Sequence, residues 1–230
     1  SNGNLIVGQD YSYMIVTVYK DGTQTFGSTQ VCTHLKRDVP VILNADVLST
    51  SASTGSVLVR WSRPILNSKN FDTTIYNGPY TFNLRYKNSS GTFDNIFTTT
   101  KKSVLQLETL YVHTGLNTIT TAHQYFIEFI SGTTTIGNSQ NATTIFESAI
   151  PSDRMINLSW NSKTPWVNFK YTIYRKAPAE TAFTIIGTTT LSNYTDSNKV
   201  VNNYSYCYRI KGEGQYSDST IYRPLINNLF

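Results

Sequence analysis

At 230 residues the chain can hold two ordinary domains, and it is poor in charge (14%) and rich in rings, with 16 tyrosines and 11 phenylalanines. Its net charge of +5 comes from scattered residues such as Lys36-Arg37 and Lys101-Lys102, which form no basic stripe, so a nucleic-acid partner is not expected. No window holds the roughly 20 apolar residues a membrane helix needs, and Ser1-Asn2-Gly3 does not open like a signal peptide, so membrane insertion is not expected and any export signal would lie outside this stretch.

In chain order, Tyr11 to Tyr19 reads as a strand, Asp21-Gly22 as a turn, and Thr25 to Cys32 as the returning strand. A lone hairpin is marginal in water. Its apolar face is therefore expected to pack on the next domain, on another chain, or on the front half of its own module. A hairpin paired with another chain would give a concentration-dependent dimer lost on deletion of residues 1–38. Cys32 and Cys207 do not make a disulfide framework and are expected to be free.

Pro40 marks the first boundary, and Val41 to Val47 begins a new strand. Ser56 to Trp61 follows, with Val57, Val59 and Trp61 on one face. Phe71 to Pro79 reads as a polar loop. Tyr80 to Tyr86 alternates again, Asn88 to Gly91 turns, and Phe93 to Thr99 returns. A strand is expected around Val104 to Leu107, then a link at Tyr111 to Leu116, then strands at Tyr125 to Ile130 and Gln140 to Phe146.

Ala149-Ile150-Pro151-Ser152 marks a second boundary, after which the order repeats. Ile156 to Trp160 matches Val57 to Trp61, Phe169 to Lys176 matches Tyr80 to Lys87, and Phe183 to Thr190 matches Phe93 to Thr100. Tyr194 to Asp196 matches Tyr111 to His113, Tyr206 to Ile210 matches Tyr125 to Phe129, and Tyr216 to Arg223 is the last strand. No segment sustains helical spacing. The chain is expected to be all-β, with about seven short strands per unit, the signature of an immunoglobulin-like sandwich.

Val57-x-Val59-x-Trp61 and Ile156-x-Leu158-x-Trp160 resemble the second strand of a fibronectin type III module, whose Trp anchors the core. Tyr125-x-Ile127-x-Phe129 and Tyr206-x-Tyr208-x-Ile210 resemble its sixth strand, which begins with a corner tyrosine bonded to nearby backbone. The resemblance implies a partial module at 1–38, modules at 39–149 and 150–230, and a structural core of Trp61, Trp160, Tyr125 and Tyr206. The Asp38-Val39-Pro40-Val41-Ile42 junction, the Thr114-Gly115-Leu116-Asn117-Thr118 link and the Tyr204 to Ile210 strand are similar to modules of large surface proteins of gliding Bacteroidetes, which carry a C-terminal gliding-motility-associated sorting region. That resemblance implies a secreted or cell-surface location.

Chemistry is scarce. His34, His113 and His123 lack metal-ligand spacing and read as solvated strand-end residues, so no metal is expected. There is no Gly-x-Ser-x-Gly elbow, no standout carboxylate pair and no phosphate loop, so neither a catalytic residue nor a cofactor is expected. The candidate ligand-binding aromatics are Trp166, Tyr174, Tyr216 and Tyr222, the rings least needed by the cores. Shielding of strand edges or packing between modules is the competing role. The expected function is a non-enzymatic spacer and interaction scaffold, linked to adhesion or gliding. Its partners would be other modules of the same protein, a surface protein or a glycan. The alternative is a carbohydrate-binding accessory module of a polysaccharide-degrading enzyme, with Trp166 stacking on sugar.

Overall fold

The computed structural model describes residues 10–34, 39–66 and 71–216. At the N-terminal end, β1 (Asp10–Tyr13) pairs antiparallel with β2 (Val31–His34). The hairpin turns at Gly22, whose φ of 85° is the left-handed conformation that glycine adopts without strain. Asp21 fixes the turn by accepting hydrogen bonds from the Thr23 amide and hydroxyl. Its apolar side chains do not pack on the following residues: Ile15 is 75% exposed and Phe26 fully exposed.

The middle sandwich follows Pro40. One sheet has the order β3 (Ile42–Ser49), β4 (Gly55–Trp61), β7 (Leu110–Leu116). The facing sheet has the order β10 (Ala142–Thr143), β8 (Gln124–Ser131), β5 (Tyr80–Lys87), β6 (Phe93–Lys101), with β9 (Thr134–Asn138) also on β8. Val57, Val59 and Trp61 alternate inward from β4, and Tyr80, Phe82 and Leu84 from β5, so period two puts these side chains into one layer. Tyr125, Ile127 and Phe129 of β8 complete it.

The last sandwich repeats this order. β11 (Phe146–Ser152), β12 (Met155–Asn161) and β15 (Asn193–Asp196) form one sheet; β14 (Thr184–Thr189), β13 (Val167–Lys176) and β16 (Cys207–Gln215) form the other. Leu158 and Trp160 face Tyr171, Ile173, Tyr208 and Ile210. The repeat extends to irregularities. β5 and β6 slip register between Leu84 and Arg85, and β13 and β14 slip at the equivalent Ile173 and Tyr174. A three-stranded sheet facing the β6–β5–β8 arrangement, twice over, is the fibronectin type III form of the immunoglobulin-like sandwich. Of the expected final strand, Tyr216 to Arg223, only Tyr216 is among the described residues.

Several expectations are corrected by this geometry. Residues 111–116 are not a link but most of β7, paired along β4; Thr114 and Gly115 hide an alternation in which Tyr111 and His113 point inward. Residues 104–106 form a 3-10 turn, capped by the Ser103 hydroxyl. This brings Val104 and Leu107 to the same side, where both are buried, whereas a strand would have pointed Gln106 inward with Val104. Phe71 is fully buried in a loop that reads as polar, its ring 4.8 Å from Phe129 and 5.8 Å from Tyr80, so the loop plugs one end of the core. β11 starts at Phe146, ahead of the expected boundary at 150, and runs through Pro151, because an edge strand can carry a proline without losing a ladder bond. Both cysteines are free and exposed.

The register also moves one equivalence. Tyr86 faces Tyr125, while Arg175, the counterpart of Tyr86, faces Tyr208. The residue equivalent to Tyr125 is therefore Tyr208. Tyr206 is a half-buried corner residue whose hydroxyl accepts from the Val201 amide. Tyr125 bonds a side chain instead of backbone.

Trp61 and Trp160 occupy equivalent central positions, and the Trp160 ring meets Tyr171 edge-on at 5.1 Å. Trp160→Ala is expected to cost about 3–5 kcal/mol and unfold the last sandwich. A thermal melt of the variant with no loss of stability would remove Trp160 from the core.

Candidate functional site at the junction of the sandwiches

Trp166 follows Pro165 in the turn between β12 and β13, one residue before β13 starts. Its ring does not face solvent. It is 4% exposed and belongs to the core of the preceding sandwich rather than its own. The Tyr216 ring meets it edge-on at 6.0 Å, and the Tyr216 hydroxyl donates to the Ile42 carbonyl at 2.6 Å. The indole N–H donates to Asn168 Oδ1 at 3.0 Å, and the Thr164 hydroxyl donates to the Trp166 carbonyl. Backbone reinforces the contact: the Thr143 amide donates to the Lys163 carbonyl, and the Lys163 amide to the Thr143 hydroxyl. A buried aromatic with its polar atom satisfied is the strongest kind of anchor such a joint can have.

The four candidate aromatics are therefore not one surface. Trp166 and Tyr216 meet inside the joint. Tyr174 is half-buried on the outward face of the last sandwich, in the register row Ile185, Tyr174, Arg209. Tyr222 lies outside the described residues. Trp166, the ring expected to stack on sugar, is covered by protein.

Glycine spacing in β16 makes room for the wedge. A Cβ on Gly214 would lie 2.6 Å from Trp166 Cδ1 and 2.7 Å from the Val167 carbonyl oxygen, and a Cβ on Gly212 would lie 3.2 Å from Ile145 Cδ1. Neither glycine signals this in the sequence, where both read as turn residues.

A cleft of about 270 Å³ opens at the joint, lined on one side by Val47, Leu48 and Ile119 and on the other by Ile145, Glu147 and Tyr208. Glu147 pairs in register with Trp160, so its carboxyl is directed to the inner side of β11. Burial beside apolar side chains pushes its pKa up to about 7, and Arg209 is the charged residue that shares the cleft. Glu147 is not distinguished in the sequence because its neighbours Phe146 and Ser148 give no alternation.

Two polar clusters seal the sandwiches between their sheets. In the middle one, the Tyr125 hydroxyl and His113 Nδ1 are 3.1 Å apart, as are the Tyr86 hydroxyl and His123 Nδ1. His123 Nε2 donates to the Asn117 carbonyl, which leaves Nδ1 to accept from Tyr86. His123 is 2% exposed and His113 half-buried, so these are not the solvated strand-end residues their isolation in sequence suggests. In the last sandwich the equivalent positions carry Arg175, Asp196 and Tyr208. Asp196 Oδ2 accepts from the Arg175 guanidinium at 2.8 Å and from the Tyr208 hydroxyl at 2.9 Å. Among the described residues no group of three or more His, Cys, Asp or Glu could hold a metal ion.

Solved structures similar to this chain include three from chicken. The FN1–FN3 domains of CNTN1 match at 13% identity and TM-score 0.28, covering 90% of this chain and 73% of that one. A two-domain fibronectin type III segment of tenascin matches at 17% identity and TM-score 0.27, covering 76% and 91%. The interferon gamma receptor alpha chain matches at 14% identity and TM-score 0.26, covering 76% and 90%. No protein-family profile and no curated protein matches the chain.

Two predictions follow from the joint. Gly214→Ala is expected to cost about 1–3 kcal/mol, because the clash involves backbone as well as a ring held on all sides, and chemical denaturation would measure it. The second concerns Glu147. Its pKa is raised on folding, so the folded chain holds a proton that the unfolded chain releases above about pH 4.5, and this group lowers stability as pH rises from there through about 7. Glu147→Gln is expected to stabilise the chain by about 1–2 kcal/mol at pH 8 and not at all at pH 4. Equal stability of the two proteins at both pH values would contradict the buried carboxyl.

Proposed function

We propose that the chain is a non-enzymatic spacer and interaction scaffold within a secreted or cell-surface bacterial protein, one serving adhesion or gliding, with neighbouring modules and a surface protein or glycan as its partners. The observation that carries this reading is the burial of Trp166 from one sandwich in the core of the other. A spacer must hold its length, and a shared core does so better than a linker. Pro151, which reads as a boundary residue in the sequence, is part of β11 and not of a linker. The glycan-binding alternative loses its best residue to the joint, and no other observation favours it.

Small-angle scattering of the whole chain tests the proposal. Wild type is expected to give a single narrow distance distribution, and Trp166→Ala a broader one of greater maximum dimension, with strand content by circular dichroism unchanged. Trp166→Phe, which keeps an apolar ring, is expected to fall between them. Superimposable curves for wild type and Trp166→Ala would overturn the rigid-spacer reading.

A further inference from the structure

We propose that the middle sandwich carries an acid-operated latch, in which protonation of His113 and His123 opens the seam between β5, β7 and β8 and frees the linker to the last sandwich.

The latch is a cluster of rings in which neither imidazole has a carboxylate partner among the described residues. Tyr86 from β5 stands between the histidines, 4.6 Å from the His113 ring and 5.8 Å from that of His123. His113 from β7 also faces Tyr125 from β8 and Tyr111 from its own strand. The groups facing His123 are Tyr86, the Asn117 carbonyl and the Thr144 hydroxyl, the last bonded to the His123 amide. The acid that acts on the cluster is Asp94, and it acts on Tyr86. Each imidazole could keep its hydrogen bonds on protonation by turning a tyrosine hydroxyl around. What His123 cannot find is solvation, neither imidazole faces a carboxylate for the new charge, and two such charges would repel across one ring.

Burial accordingly lowers both histidine pKa values below 6.5, and His123 lowers that of His113 further. The unfolded chain takes up protons as pH falls through 6.5 and the folded chain does not. Stability from the latch is therefore complete above about pH 6.5 and lost below it. In the last sandwich Asp196 stands at the position of His113 and Tyr206 at that of His123, and Asp196 is paired with Arg175, so its seal has no histidine.

The seam leads to the joint. The His123 carbonyl accepts from the Thr144 amide, the Thr144 hydroxyl accepts from the His123 amide, and the adjacent Thr143 pairs with Lys163 of the last sandwich. Loosening β8 at His123 would thus release the strip that fastens one sandwich to the next.

The test uses the whole chain, with hydrogen exchange resolved by segment and corrected for intrinsic rate. Between pH 7.5 and 5.0, amides of residues 110–131 are expected to lose at least tenfold in protection, while those of residues 155–176 keep theirs. In His113→Gln/His123→Gln the loss is expected to disappear. Equal protection of the middle segment at both pH values in wild type would overturn the latch, as would the same loss in the double variant. Should the double variant not fold, imidazole titration in wild type by nuclear magnetic resonance decides the matter. Values well below 6.5 for both residues uphold the latch, and values at or above 6.5 reject it.

Discussion

Two sheets about 10 Å apart can share a core only if every second residue of each strand fills the gap, and in this chain the gap is set by Trp61 and Trp160. The remaining core residues are fitted around those two indoles. In the middle sandwich, Phe97 meets Trp61 and stacks on Tyr111. In the last, Gly187 stands at the position of Phe97, and a Cβ there would lie 2.5 Å from the Tyr194 hydroxyl. Tyr194 is the counterpart of Tyr111 and takes the space the glycine gives up. The tyrosine is the same in both modules, and its ring shifts to fill the space where the last one has glycine in place of a phenylalanine, as close packing requires.

The seals between the sheets show the same freedom in polar chemistry. Tyr86, His113 and Tyr125 do with neutral groups what Arg175, Asp196 and Tyr208 do with an ion pair. Both tie the two sheets together through hydrogen-bonded side chains, though Arg175 Nε has no partner, and they would respond to acid differently. Glu147 adds a group in the last sandwich whose effect runs opposite to that of the histidines. The two modules thus share a fold and differ in the titratable groups that seal it.

What could be read from sequence was whatever repeats at period two with uninterrupted apolar residues. β4, β5, β8 and β12 are of this kind, and the match between residues 93–100 and 183–190 holds down to a shared bulge. What could not be read depends on partners distant in the chain. β7 presents a histidine, a threonine and a glycine where a core strand would show valines, and only pairing with β4 reveals it. Phe71 is a single ring among polar neighbours, so no period marks it. The offset that makes Tyr208 rather than Tyr206 the counterpart of Tyr125 is invisible in a run of alternating tyrosines, because a two-residue slip preserves the pattern.

Trp166 shows the limit most clearly. A tryptophan beside a proline in a turn looks spare when its own module already has Trp160, and spare aromatics suggest a ligand. The inference fails because a tandem protein has a second core within reach. Trp166, Tyr216 and the facing glycines of β16 all come from the last sandwich, yet the two rings pack on the core of the middle one. The hairpin at residues 10–34 is the opposite case, with apolar side chains exposed and no comparable wedge among the described residues. On the spacer reading, stiffness would be set joint by joint, according to whether one module lends its neighbour a large ring to bury.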